Sequence, residues 1–170
     1  THDAWVMTRN TLLYNAAFIV IGTIAAIFIA ILIYELGEKR RVKLFQSALM
    51  LPNLFSWVVI GFIAYAFLNA DTGFINNALL KSFGAEPISW YSTPGPWPVI
   101  LLITYLWKYV GYFSIVYIAS IAGIDKSVYE AAQLDGASKI QQIIRVTLPL
   151  LKPTIVIMTL MAVGRIFYSD

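Results

Sequence analysis

The chain contains three long apolar runs with at most one charge each, and their length limits what it can fold into. The runs cover residues 10–34, 44–69 and 97–122, and a shorter fourth run covers residues 153–169. The hydrocarbon core of a bilayer is about 30 Å thick, and a helix needs roughly 20 apolar residues to cross it. The pattern predicts an all-α, polytopic transmembrane bundle with about four spanning helices.

The composition excludes a soluble globular protein. Hydrophobic residues make up 59% of the 170 residues and charged residues 12%, against about 45–50% and about 25% in soluble domains. With no cysteine and one histidine, the sequence supports neither a disulfide framework nor a metal site. We expect a lipid bilayer around the chain and no nucleic-acid partner. Because the chain starts at Thr1 and stops near an apolar run, we interpret residues 1–170 as one transmembrane domain, incomplete at both ends.

The links between the runs differ in basic residues, and this difference predicts the orientation. The first link (residues 35–43) and the third link (residues 124–152) each carry four lysine or arginine residues, whereas the middle link (residues 69–96) carries only Lys81. Basic residues are enriched in the cytoplasmic loops of membrane proteins. We therefore expect the first and third links to be cytoplasmic, and the start of the chain to face outside.

The third link is unusually long and has the signals of two short helices. Ser127 and Glu130 have the spacing of a capping box, which predicts the start of the first helix. Gly136 is expected to end this helix, because glycine accepts the left-handed backbone conformation. A second helix with an apolar stripe should follow, and we expect Leu148-Pro149 and Lys152-Pro153 to end it.

The same link resembles the EAA loop of the membrane subunits of bacterial ABC importers. The matching pattern is Glu130-Ala131-Ala132, three residues, Gly136, nine residues, Val146, one residue, and Leu148-Pro149. The fuller run from Tyr129 to Ala137 is similar to the carbohydrate-uptake branch, which is maltose-permease-like. The resemblance implies a MetI-like permease core in the bacterial cytoplasmic (inner) membrane. The ending, residues 164–170, looks like a subgroup linked with oligosaccharides, including acidic uronate types.

The resemblance also implies the partners of this chain. These are a second homologous permease subunit, two ATPase subunits that hold ATP and Mg²⁺, and an extracellular or periplasmic solute-binding protein. The loop residues implied in coupling to the ATPase are Glu130, Ala131, Ala132, Asp135, Gly136, Leu148 and Pro149. Judged without the resemblance, Glu130 is better explained as a helix-capping carboxylate near a positive helix end, and the spacing of the loop motif is what favours the coupling role. Since the chain lacks a phosphate-binding loop motif, we expect it to bind no cofactor and to be no enzyme by itself.

Lys108 lies about 16 Å along its helix from Trp97, near the middle of the bilayer. An ionisable residue at this depth is a candidate for function. With Tyr105 and Tyr112 it forms one predicted helix face suited to sugars, and Arg165 is a weaker candidate for the same path. The alternative is that Lys108 pairs with a helix carbonyl, or with an acid on another subunit.

Two other classes of protein remain open at this point. A secondary transporter or channel subunit without an ATPase partner would explain the helices and Lys108, but would not need the loop spacing. A scaffold subunit would explain the loop, but not the buried cation.

Overall fold

The computed structural model describes residues 2–166, which form helices and turns and contain no strand. Three helical segments are long and apolar enough to cross a bilayer, and a bent pair of shorter helices gives a fourth candidate span. The helices are α1 (His2–Glu35), α2 (Lys39–Leu54), α3 (Trp57–Leu68), α4 (Trp97–Ala122), α5 (Lys126–Leu134), α6 (Lys139–Gln142) and α7 (Leu148–Gly164).

The centre of the bundle lies where α1 packs along α4. Gly22, Ala26 and Ala30 repeat every four residues on α1 and are all buried. Small residues at this spacing let two helices approach closely within a membrane. The buried cluster continues through Tyr117 of α4 to Leu151 of α7, so these three helices share one core.

The second apolar run is a bent pair of helices, whereas its length and composition predict one span over residues 44–69. The bend between the two helical segments is 94°. Pro52 lies in the last turn of α2, and the Ser56 side chain accepts a hydrogen bond from the Val59 backbone N–H at the start of α3. A proline near a helix end and a new N-cap four residues later together explain the break.

The middle link is folded around the side chain of Asn76, which is only 3% exposed. Its amide donates to the carbonyl oxygens of Ala70 and Ile88, each at 2.9 Å. Its oxygen accepts from the Ile88 backbone N–H at 3.3 Å and from the Trp90 indole at 2.9 Å. One buried amide therefore holds together the two halves of this link.

The fourth apolar run is the second half of a longer helix, so the expected break at the two prolines is wrong. α6 continues through a π-helical turn, Ile143–Thr147, into α7 without interruption. Pro149 lies in the first turn of α7, directly after the wide π turn. A proline at a helix start needs no backbone donor, and a π turn relaxes the regular hydrogen-bond ladder. Candidate span Lys139–Gly164 therefore begins inside the third link.

Candidate functional site

The first helix of the third link is capped by Asp125, so the predicted capping box of Ser127 and Glu130 is wrong. The Asp125 carboxylate accepts from the Ser127 backbone N–H at 2.9 Å. This bond, with a smaller contribution from the Ser127 side chain, lowers the pKa of Asp125 from its ordinary value. An ionised carboxylate at a helix N-terminus is stabilised by the backbone donors there. The capping position lies two residues earlier than the sequence suggested.

The bend between α5 and α6 is formed by Gly136, whose φ is +77°. The Ala137 backbone N–H donates to the Ala132 carbonyl at 2.9 Å, which closes the last turn of α5. The predicted left-handed conformation is confirmed. Beyond the bend, Ser138 and Gln141 form a reciprocal capping box that starts α6. The two short helices are thus separated by a turn with defined geometry.

Two side-chain hydrogen bonds connect the parts of the third link. The hydroxyl groups of Tyr129 on α5 and Thr147 in the π turn are 2.9 Å apart. The Gln142 amide donates to the Ala137 carbonyl at 3.0 Å, and both Gln142 and Thr147 are buried. Satisfied buried polar groups of this kind hold neighbouring segments in one arrangement. The link is therefore a folded unit joined to the start of α7.

The outer surface of this unit mixes exposed apolar and charged side chains. Leu134 is 90% exposed, and Ile140 and Ile144 are exposed as well. Glu130 is exposed, and among residues 2–166 its carboxylate forms no ion pair or side-chain hydrogen bond. The remaining residues implied by the resemblance have these positions: Ala131, Asp135, Gly136 and Pro149 are exposed, while Ala132 and Leu148 are half-buried.

The candidate path residues have different surroundings. The Tyr105 ring stacks on Phe18 of α1 at 4.4 Å between ring centroids. The Lys108 ammonium donates to the backbone carbonyls of Asn53, at 3.4 Å, and Phe55, at the end of α2. Tyr112 and Arg165 are exposed. The described residues therefore show the carbonyl pairing that was the alternative interpretation of Lys108.

The four candidates do not line one cavity in the described part of the chain. Tyr105 lines a small cavity of about 30 Å³ between α1, α4 and α7. A larger cleft of about 300 Å³ lies between α1, α2 and α4, and its apolar wall includes Trp107 and Gly111. A path that uses Tyr105, Lys108, Tyr112 and Arg165 together stays a prediction.

Comparison with known proteins identifies the family. The family model described as "Binding-protein-dependent transport system inner membrane component" matches residues 4–169. The chain belongs to this family. Membership agrees with the resemblance carried by the third link, and the expected all-α permease core is confirmed.

Two similar proteins are named as permeases of carbohydrate transport systems. The chain is 29% identical to the polygalacturonan/rhamnogalacturonan transport system permease protein YteP of Bacillus subtilis over 94% of its length. It is 31% identical to the lactose transport system permease protein LacF of Rhizobium radiobacter over 92%. It spans 50% and 52% of these two relatives, respectively.

One similar solved structure is a bacterial ABC transporter involved in the import of the acidic polysaccharide alginate. The TM-score is 0.87 at 34% identity, over 93% of this permease chain and 55% of that one. A second structure of the same kind is in complex with an alginate pentasaccharide-bound periplasmic protein, with the same TM-score. The family and the helical runs make the chain a multi-pass membrane protein.

Sequence reasoning missed two features that organise this permease chain. Asn76 has hydrogen-bond partners up to 14 residues away, so no local pattern marks it. The contact between Tyr129 and Thr147 also joins distant positions. At Gly111, a Cβ atom would lie 1.9 Å from the Leu49 carbonyl oxygen, so α4 touches α2 at this point.

Proposed function

We propose that this chain is the core of a transmembrane subunit of an ATP-driven carbohydrate importer, and that the third link couples it to a cytoplasmic ATPase. The observation that carries the proposal is the folded third link, which presents Glu130 and the exposed side chain of Leu134 from one bent helix pair. The link also exposes charged residues, including Asp135 and Lys139, so a protein surface suits Leu134 better than hydrocarbon does.

The proposed mechanism transmits movement through the loop. Closure of two ATPase subunits would displace α5 and α6, and the link's attachment to α7 would carry the displacement into the spanning helices. Glu130 serves as the charged contact with the ATPase, and Gly136 sets the angle of the helix pair. ATP and Mg²⁺ act on the ATPase subunits, whereas this chain forms half of the path together with a second permease subunit.

The decisive experiment measures ATP hydrolysis and sugar uptake by the complete importer in proteoliposomes. We expect Glu130→Ala to lower uptake at least about tenfold, the scale expected from loss of one interfacial charge contact. The matched control is Glu86→Ala, which removes an exposed acid from the middle link. Equal uptake in the two variants would contradict the coupling role. Uptake that needs no ATPase subunit would favour a secondary transporter or channel instead.

The proposed orientation places the first and third links in the cytoplasm and the middle link outside. Because residues 1–170 contain no cysteine, single exposed cysteines placed there report sidedness once any cysteine elsewhere in the protein has been replaced. A membrane-impermeant thiol reagent should label Ser82→Cys in intact spheroplasts, and should label Ser138→Cys only after the membrane is opened. The reversed pattern would overturn the orientation.

The proposed substrate class is carbohydrate, delivered by a solute-binding protein. The similar proteins are described as handling lactose, polygalacturonan or alginate, so neutral and acidic oligosaccharides are both within reach. Arg165 offers an exposed positive charge directly after the end of α7. Binding of uronate and neutral oligosaccharides to the cognate solute-binding protein, followed by uptake assays, would separate the two groups of substrate.

A further inference from the structure

Lys108 is a buried cation whose charge is directed at a helix end. Its side chain is only 5% exposed, and among residues 2–166 it forms no ion pair with a carboxylate. The ammonium group donates to the carbonyl oxygens of Asn53 and Phe55. A buried charge needs compensating partners, and backbone carbonyls supply them here.

These carbonyls are open because α2 ends at this point. The last carbonyl groups of an α-helix have no donor within the helix, and the C-terminal end carries partial negative charge. The 94° bend directs the chain away before α3 begins at Trp57. In a membrane, an unsatisfied backbone group is costly, because no water is present to replace the missing partner. The cation on α4 therefore stabilises a break that would otherwise be costly.

Three consecutive residues of α4 contact the two sides of the break. The Trp107 ring lies 6.4 Å from the Phe55 ring, and the Tyr109 ring lies 6.1 Å from the Trp57 ring. Between them, the Lys108 ammonium is 5.4 Å from the ring centroids of both Trp57 and Tyr109. A cation at this distance from aromatic rings is attracted to their faces. The aromatic contacts and the ammonium group thus stabilise the same break between α2 and α3.

We propose that Lys108 is a positioning residue that fixes the angle between α2 and α3, and that it acts through the Asn53 and Phe55 carbonyls rather than by binding sugar. In secondary transporters, the carbonyls at a broken helix end commonly coordinate a free cation. Here the ammonium group of Lys108, on α4, occupies the position of that cation. The angle between α2 and α3 is therefore set by a contact within this chain.

The test measures the α2–α3 geometry directly, in the complete importer reconstituted in nanodiscs without sugar. Spin labels on Ser47→Cys of α2 and Phe62→Cys of α3 use exposed positions in a stretch without cysteine, and any cysteine elsewhere in the importer is replaced first. We expect Lys108→Met, which keeps the side-chain length and removes the charge, to shift and broaden the distance distribution. Lys108→Arg should keep the wild-type distribution, and Lys81→Met in the exposed middle link is the control for loss of a lysine.

An unchanged distance distribution in Lys108→Met would overturn the proposal. If that variant does not assemble, Lys108→Gln takes its place. Its shorter, uncharged side chain weakens the contact with the two carbonyls, so we expect a smaller shift of the distance distribution, and an unchanged distribution would again overturn the proposal. Uptake assays of the variant add a second readout. A positioning role lowers kcat and leaves KM close to the wild-type value for both neutral and uronate oligosaccharides. A rise in KM for uronate oligosaccharides alone would overturn the proposal. The spin-label distances do not depend on transport, so failure of the proposed function would be seen separately.

Discussion

The hydroxyl groups of Tyr129 and Thr147 share a hydrogen bond of 2.9 Å that joins the first helix of the third link to the π turn before α7. Thr147 is buried, so its hydroxyl has little access to water as an alternative partner. The bond connects the surface proposed to contact the ATPase with the helix proposed to move. Without this bond, a displacement of α5 would be absorbed by rotation at Gly136 and would not be transmitted to α7.

We expect Tyr129→Phe to loosen α5. Loss of one hydrogen bond costs about 1 kcal/mol, which corresponds to roughly fivefold faster amide exchange if α5 opens locally. Hydrogen–deuterium exchange over residues 126–134 measures this effect. Thr147→Val should have a similar effect, and the double variant should add little to either single change. Tyr91→Phe, at an exposed tyrosine of the middle link, is the control. If the effects of Tyr129→Phe and Thr147→Val are additive in the double variant, the two side chains are not directly coupled.

Substitution of Gly111 should separate α4 from α2. A Cβ atom there would lie 1.9 Å from the Leu49 carbonyl oxygen, which belongs to the backbone and cannot rotate away. We expect Gly111→Ala to destabilise the permease by about 1–3 kcal/mol, the usual cost of overpacking. Thermal unfolding of the purified complex measures the loss. Gly61→Ala in α3 is the matched control, because nothing lies within 4 Å of its added Cβ; equal melting temperatures would contradict the close helix contact.

Substitutions of two glycines with similar backbone conformations separate the effect of backbone strain from an effect on the coupling of ATP hydrolysis to transport. Gly136 has φ +77° in the third link, and Gly84 has φ +66° in the middle link. An alanine in this conformation costs about 1–2 kcal/mol at either position. We expect Gly136→Ala to lower the amount of sugar transported per ATP hydrolysed, and Gly84→Ala to leave that ratio unchanged. The same ratio in both variants would mean that the angle of the third link does not matter for coupling.

The Asn76 side chain should be essential for the middle link. Asn76→Leu leaves the Ile88 backbone and the Trp90 indole without their partner, and each unsatisfied buried group costs about 1–3 kcal/mol. We expect faster proteolysis of residues 69–96 and a red shift of tryptophan fluorescence. Asn77→Leu is the control, since the Asn77 side chain is exposed and only donates to the carbonyls of Asp71 and Gly73. Equal proteolysis of the two variants would contradict the central role of Asn76.

The main helices and the bend at Gly136 could be predicted because their signals are local. Apolar run length gives the spanning helices, and a glycine after a short helix gives its left-handed end. The fixed spacing around Glu130 also led to the correct family. These features depend on residues close together in sequence, so one chain is enough to recognise them.

The remaining features depend on contacts between distant residues. Pro52 signals a bend, but its size of 94° depends on Lys108, which lies more than 50 residues later and bonds the open carbonyls. Pro149 and Pro153 have the usual signature of a helix end, yet the π turn before them lets the helix continue. Ser127 and Glu130 have the spacing of a capping box, but Asp125 occupies the cap position and accepts from the Ser127 backbone N–H. The local sequence pattern does not determine which of two nearby capping residues starts the helix.

The cap at Asp125 predicts how the third link responds to acid. The pKa of Asp125 is lowered in the folded link because the Ser127 backbone N–H stabilises the ionised carboxylate. The folded state therefore binds this proton less readily than the unfolded state, so stability from the cap is complete at neutral pH. It is lost as the pH falls through the lowered pKa, below about pH 4. Amide exchange over residues 126–134, corrected for the intrinsic effect of pH, should show α5 losing protection in this range.

The Asp125→Asn variant tests the assignment of this pH dependence to Asp125. Asparagine can accept the same hydrogen bond from the Ser127 backbone but carries no charge, so α5 should still form. We expect its protection at neutral pH to be lower than in the wild type, and the loss of protection in acid to be smaller. Glu86→Gln, which changes an exposed acid in the middle link, should leave the wild-type response of α5 unchanged. A full acid response in Asp125→Asn would assign the pH dependence to another group.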